Sequence, residues 1–247
     1  MSDICLSIDW DFFVPGAIKV WEQEDIDENF KFFLTNWIKP RWRRLEKQIK
    51  PVNADKFWQW LSQWFVLSRN RQVTVSESHA VISKLLSERH ETLILFDSHH
   101  DCYSLFSQDE DKGNIDCGNW GTYWLRKKDK NGKVIWISQL SPGERKEYIS
   151  RITQSAFSHV KAYSPKTVES VFDAMCKKAG GRVKLDFIHI CRSGCWSPPW
   201  TDIDFLEFLK RSKFDCKIYR PVNKKFYCNP MTDRWDGSPV TYWTKCD

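Results

Sequence analysis

The chain reads as an α/β protein built on a mainly parallel sheet. Three observations predict this. Its strand candidates are short, unbroken apolar runs, as in strands buried on both faces. Helical patterns separate them. Acids and histidines gather just after the apolar runs, where strands of a parallel sheet present their carboxyl ends. The 247 residues, 41% hydrophobic and 15% aromatic with 14 Trp and 16 Phe, suffice for a sizeable core in one domain spanning 1–247. Such aromatic content excludes a disordered chain. No apolar run approaches the roughly 18–20 residues of a membrane span. The opening MSDICLSIDWDFF places acids where a signal peptide needs bases. These features predict a soluble cytoplasmic protein with no membrane partner. Nine cysteines without a CxxC pair suit a reducing compartment, and Cys191-x-x-x-Cys195 lacks the second pair a zinc site needs.

The elements follow in order. Ile4-Cys5-Leu6-Ser7-Ile8 is a buried strand ending at Asp9-Trp10-Asp11. A helix is expected over residues 28–37. A second, capped by Asn53, carries Phe57, Trp58, Leu61, Trp64 and Phe65 at helical spacing. Ser76 caps a third that runs through Lys84 and Leu86. Leu93-Ile94-Leu95-Phe96 is a strand ending at Asp97, followed by a loop over residues 104–116 and a helix over 119–125. Further strands are expected at 134–137, 160–163 and 183–190. Further helices are expected at 144–152, at 167–178 (stopped by Gly180-Gly181) and at 202–211.

The chemistry concentrates in Asp97-Ser98-His99-His100-Asp101. As a strand runs out, i, i+2 spacing places Asp97, His99 and Asp101 on one side. Asp9-x-Asp11 repeats this logic at another strand end. Carboxylate and imidazole suit Mn, Fe or Zn. Four unpaired carboxylates at one sheet end repel and raise each other's pKa, a problem that divalent cations remove. His100 faces the other way, and His90, His159 and His189 read as structural.

These motifs resemble those of the ureohydrolases, the arginase and agmatinase superfamily. Asp97-Ser98-His99-His100-Asp101 is similar to that family's Asp-Ala-His-x-Asp strand end. Ser76-Glu77-Ser78-His79 looks like its first histidine stretch, and Gly118-Asn119-Trp120-Gly121 resembles its substrate loop. The Asp-x-Asp comes first here instead of last, which implies a rearranged strand order within a three-layer arginase-like fold. An N-terminal Ile-Asp-x-Asp-Phe-Phe with a DxHxD is similar to a smaller branch that includes peptide arginases, which convert arginine side chains to ornithine in ribosomally made precursor peptides. The resemblance implies two Mn²⁺ ions, with Fe²⁺ or Zn²⁺ also compatible. Asp9 and Asp97 bridge them, His79 and Asp101 complete one, and His99 and Asp11 complete the other. It further implies Asp101 as proton shuttle and a carboxylate, Glu77 or Asp202, paired with the substrate guanidinium. Asn119 is a candidate for substrate binding.

Two rival readings remain. One is a metal-dependent hydrolase of free arginine, agmatine or an amide. The other is a binding module using Trp residues and the basic run Lys39, Arg41, Arg43, Arg44, Lys47 and Lys50 within a net charge of +6. The second predicts that the acids are scattered, and a carboxylate cluster disfavours nucleic acid as a partner.

Overall fold

The computed structural model describes residues 3–15, 49–67, 72–76, 78–87, 90–103, 115, 117–127, 132–152, 154–193 and 197–218. In chain order, β1 (Asp3–Asp9) runs into a 3₁₀ turn (Trp10–Phe13). Then come α1 (Phe57–Leu61), β2 (Phe65–Val66) and β3 (Gln72–Ser76). A 3₁₀ turn (His79–Val81) leads into α2 (Ile82–Leu85), followed by β4 (His90–Phe96) and α3 (Trp120–Lys127). Next are β5 (Lys133–Ile137), α4 (Pro142–Ser150), α5 (Gln154–Phe157) and β6 (Val160–Tyr163). The described chain closes with α6 (Pro165–Ala179), β7 (Val183–Lys184), β8 (Phe187–Cys191), α7 (Asp202–Ser212) and β9 (Asp215–Ile218).

Seven strands form one sheet in the order β6-β5-β4-β1-β8-β3-β9, and every pairing is parallel. β2 and β7 form a separate parallel pair. The sheet grows outward from β1, with β4, β5 and β6 on one side and β8, β3 and β9 on the other. β1 is therefore where the strand order reverses, the position at which open α/β sheets place their sites.

Side-chain alternation assigns the two faces. Ile4, Leu6 and Ile8 of β1 join Ile94, Phe96, Ile188 and Ile190 in a core with Phe172 of α6 and Phe205 and Phe208 of α7. Cys5, Leu93, Leu95 and Trp136 point the other way and pack with Ile82 of α2 and Trp120 and Trp124 of α3. Both faces are thus covered, which explains the unbroken apolar runs. Ser7 and Asp9 share the second face with Cys5. His189, in register with Ser7, and Asp97, two residues beyond Leu95, lie there too.

Local signals set most boundaries. Ser141 and Ser164 each make a reciprocal capping box ahead of a proline in the first turn. Gly180 closes α6 at φ 69°. Several expectations need correction. Asn53 sits in a turn at φ 60°, and α1 starts after Lys56 and stops at Leu61, so Phe65 belongs to β2 instead. Ser76 ends β3, and the cap of the following turn is Ser78. The run at 183–190 is two strands, because β7 pairs with β2 while β8 pairs with β1. The expected helix at 28–37 and most of the 104–116 loop lie outside the described residues. No helix among the described residues is long and apolar enough to cross a membrane.

The start of α7 is pinned by a fully buried ion pair. Arg192 donates from Nε to Asp202 Oδ1 at 2.8 Å, and neither side chain is exposed. Asp202→Ala strands a buried guanidinium. It is expected to cost about 3–5 kcal/mol in chemical denaturation, as when one partner of a buried pair is removed.

Candidate metal centre

Four aspartates and two histidines converge beyond the carboxyl ends of β1 and β4. Asp9 is the last residue of β1, and Asp11 lies in the 3₁₀ turn that follows it. Asp97 directly follows β4. His79 opens the 3₁₀ turn after β3, capped when Ser78 Oγ accepts from Ala80 N–H. All are buried except His99, whose side chain is 15% exposed. The cluster therefore meets solvent on the His99 side.

Three aspartates share a design. One carboxylate oxygen is tied by a nearby backbone N–H and the other points inward. Asp9 Oδ1 accepts from Asp11 N–H at 3.0 Å, Asp97 Oδ1 from His99 N–H at 2.7 Å, and Asp11 Oδ1 from Ser98 N–H at 3.1 Å. Asp101 is held differently. Its backbone is left-handed (φ 52°), and Trp120 Nε1–H donates to its Oδ2 at 2.7 Å. Gly121 N–H donates to the Asp101 carbonyl at 2.8 Å. A Cβ on Gly121 would lie 2.6 Å from that oxygen and from Cys102 Sγ, so only glycine lets α3 approach this closely.

Two overlapping groups result: Asp9, His79 and Asp97, and Asp11, Asp97 and His99. Asp97 is common to both, and Asp9 lies in the first. His79 Nδ1 lies 3.2 Å from Asp9 Oδ2, 2.9 Å from Asp97 Oδ2 and 2.9 Å from Asp101 Oδ2. His99 Nδ1 lies 3.0 Å from Asp11 Oδ2 and 3.7 Å from Asp97 Oδ1.

The residues present fit a divalent ion. His79 Nδ1 and Asp97 Oδ2 are buried and make no hydrogen bond despite their proximity. Donors at right angles on one ion with bonds of about 2.1 Å stand roughly 3 Å apart. Carboxylate oxygen and imidazole nitrogen suit several first-row metals. The electrostatics agree. Burial, then the charge of Asp11, pushes Asp9 up to about 6. Burial, then Asp97, pushes Asp101 up to about 7. Burial and the charges of Asp11 and Asp9 also raise Asp97. Burial alone would lower both histidines, yet the carboxylates around them hold His79 and His99 well above the usual histidine value. Burial would raise Asp11, but His99 beside it holds it down. Without a metal, the cluster borrows its positive charge from histidine protons.

No protein-family model, no curated protein and no solved structure matches the chain.

The other sequence candidates divide. Asn119 is buried just ahead of α3, and its carbonyl accepts from Tyr123 N–H. Asp202 is committed to Arg192, which removes it as a partner for a substrate guanidinium. Glu77 lies outside the described residues, as do Cys195 and all of the basic run except Lys50. His100 faces away, as expected: its Nδ1 accepts from Cys102 N–H and its Nε2 donates to the Tyr148 carbonyl, and burial lowers its pKa to about 3. The scattered acids required of a pure binding module are not what the fold produces. Of the described tryptophans only half-buried Trp60 lines a cavity, one of about 240 Å³ beside Phe12, Phe57 and Gln139. Trp10, Trp58, Trp64, Trp120, Trp124 and Trp136 are buried, and half-buried Trp200 donates to the Ile49 carbonyl.

Sequence reasoning passed over Ser7, Ser76 and His189, which surround His79. Their signal was present in Ser7 and His189, polar residues inside strands otherwise apolar on both faces.

Mn²⁺ at one hundred times its Kd is expected to stabilise the fold by about 2.7 kcal/mol, a rise of roughly 5–10 °C in Tm. EDTA should reverse the rise and Asp97→Ala should abolish it. An unchanged Tm in thermal denaturation with Mn²⁺ contradicts the site.

Proposed function

We propose that the protein is a binuclear metal-dependent guanidino hydrolase. In this reading it converts peptidyl arginine to ornithine with release of urea, acting on a ribosomally made precursor peptide, with two Mn²⁺ ions as resident cofactors. The observation that carries the proposal is Asp97. It is shared by two buried His/Asp groups, at the reversal point of a parallel sheet, within the DxHxD and DxD pattern that resembles the peptide arginases.

The residues divide the work. Asp9, His79 and Asp101 would hold one ion and Asp11 and His99 the other, with Asp97 between them. Divalent ions held there supply Lewis acidity and a hydroxide nucleophile near neutral pH, strong enough for a resonance-stabilised guanidinium. Asp101, a carboxylate at the edge of the ion it would help to hold, suits general acid–base work: it takes a proton as water adds to the guanidinium carbon, then returns it to the departing side-chain nitrogen. The C–N bond breaks, and one water consumed balances ornithine and urea.

The test is mass spectrometry of an arginine-containing peptide incubated with Mn²⁺-loaded protein, beside free arginine. Loss of about 42 Da per processed arginine (CN₂H₂, expelled as urea by metal-activated water) is expected, and Asp97→Ala should abolish it. Turnover of free arginine alone contradicts the peptide substrate. Two bound metals without turnover of either contradict guanidino hydrolysis.

A further inference from the structure

Behind His79, away from the carboxylates, a chain of hydrogen bonds runs through the sheet. His79 Nε2 lies 2.7 Å from Ser7 Oγ. Ser7 Oγ lies 3.0 Å from His189 Nδ1. His189 Nε2 lies 2.8 Å from Ser76 Oγ, whose proton goes to the Ser78 carbonyl at 2.8 Å. All four side chains are buried, and the His79 and His189 rings stack with centroids 5.6 Å apart.

The far end sets the direction of the whole chain. A carbonyl only accepts, and a hydroxyl has one proton to give. With the Ser76 proton on the Ser78 carbonyl, Ser76 Oγ must accept from His189 Nε2–H. A neutral His189 then offers Nδ1 as acceptor to the Ser7 hydroxyl. Ser7 Oγ, its proton spent, accepts from His79 Nε2–H. His79 Nδ1 then faces Asp9, Asp97 and Asp101, and it is the nitrogen that gives up its proton to present a lone pair to a cation. Reversing the chain at Ser7 requires a doubly protonated His189, buried with only two serine hydroxyls as partners.

We propose that Ser7, His189 and Ser76 are positioning residues that fix the orientation and tautomer of His79, so that Nδ1 is presented as a metal donor. This inference rests on the metal reading of the site. The construction is economical, because Ser76 grips both the ring of His189 and the carbonyl of Ser78, the residue before His79. The same serine thus holds the loop and the ring that the loop carries. Partners behind a ligating histidine that fix its tautomer raise metal affinity, and their loss typically costs 10–100-fold.

The experiment uses the full chain and three proteins: wild type, Ser7→Ala and Ser76→Ala. Metal affinity is read by competition with a chromophoric chelator. The His79 ring is read by long-range ¹H–¹⁵N NMR in the Zn²⁺-loaded protein. The expected result is Nε2–H with Nδ1 coordinated in wild type. One of two metal-binding events should weaken roughly 10–100-fold in Ser7→Ala, and the same event should weaken less in Ser76→Ala. The other event should stay within about twofold. If Ser7→Ala does not fold, Ser76→Ala carries the test alone, since its smaller change lies two links further from the ring. Wild-type affinity in a folded variant overturns the relay while leaving the metal site standing, as does coordination through Nε2. Absence of metal binding by wild type overturns both.

Discussion

Burying carboxylates together is the constraint on which the rest of this structure depends. Asp9, Asp11, Asp97 and Asp101 occupy a water-poor volume in which each disfavours the charge of the next. The fold spends many of its local features on holding them there. Backbone N–H groups tie one oxygen each of Asp9, Asp11 and Asp97. Trp120 is buried to reach Asp101, and Gly121 lets α3 lie against the same backbone. A left-handed aspartate and a buried acid cluster both work against stability. A cation between the inward oxygens would relieve the repulsion, and two His/Asp groups that could hold one lie there.

The parallel sheet makes this arrangement possible. β1 and β4 are neighbours in register up to Ile8 and Phe96, so the residues that follow, Asp9 and Asp97, emerge side by side on one face. Neither is near the other in the chain. His79 arrives by another route, over the end of β3, which reaches β1 only through β8. β8 in turn supplies His189 behind His79. Three crossover connections thus meet at the end of one central strand, and the helices of both faces seal the volume beneath.

Much of this was legible in the sequence, for definite reasons. β1, β4 and β5 announce themselves because strands buried on both faces read as near-continuous apolar runs. DxHxD and DxD are legible as ligand candidates because i, i+2 spacing at a strand end keeps alternate side chains together. β3 was not legible: Gln-Val-Thr-Val-Ser is half polar, and its serine looks like a helix cap when it is in truth the anchor of His189. The 183–190 run hid a break because Lys184 and Asp186 alternate with Val183, Leu185 and Phe187 as they would in one continuous strand, so β7 and β8 merged. Asp202 looked like a site acid because it starts a helix after a strand end, and only the fold reveals Arg192 beside it. His189 could not be told from an ordinary core histidine without the register that sets it beside Ser7.

The account stands or falls on whether Asp97 joins two cations. Titration of the full chain with Mn²⁺, followed by electron paramagnetic resonance, addresses this directly, because ions about 3.5–4 Å apart across a shared carboxylate are magnetically coupled. The predicted result is uptake of two ions per chain, with the isolated-ion signal replaced by the spectrum of an exchange-coupled pair. A persistent isolated-ion spectrum at saturation, or uptake that stops at one ion, would contradict it.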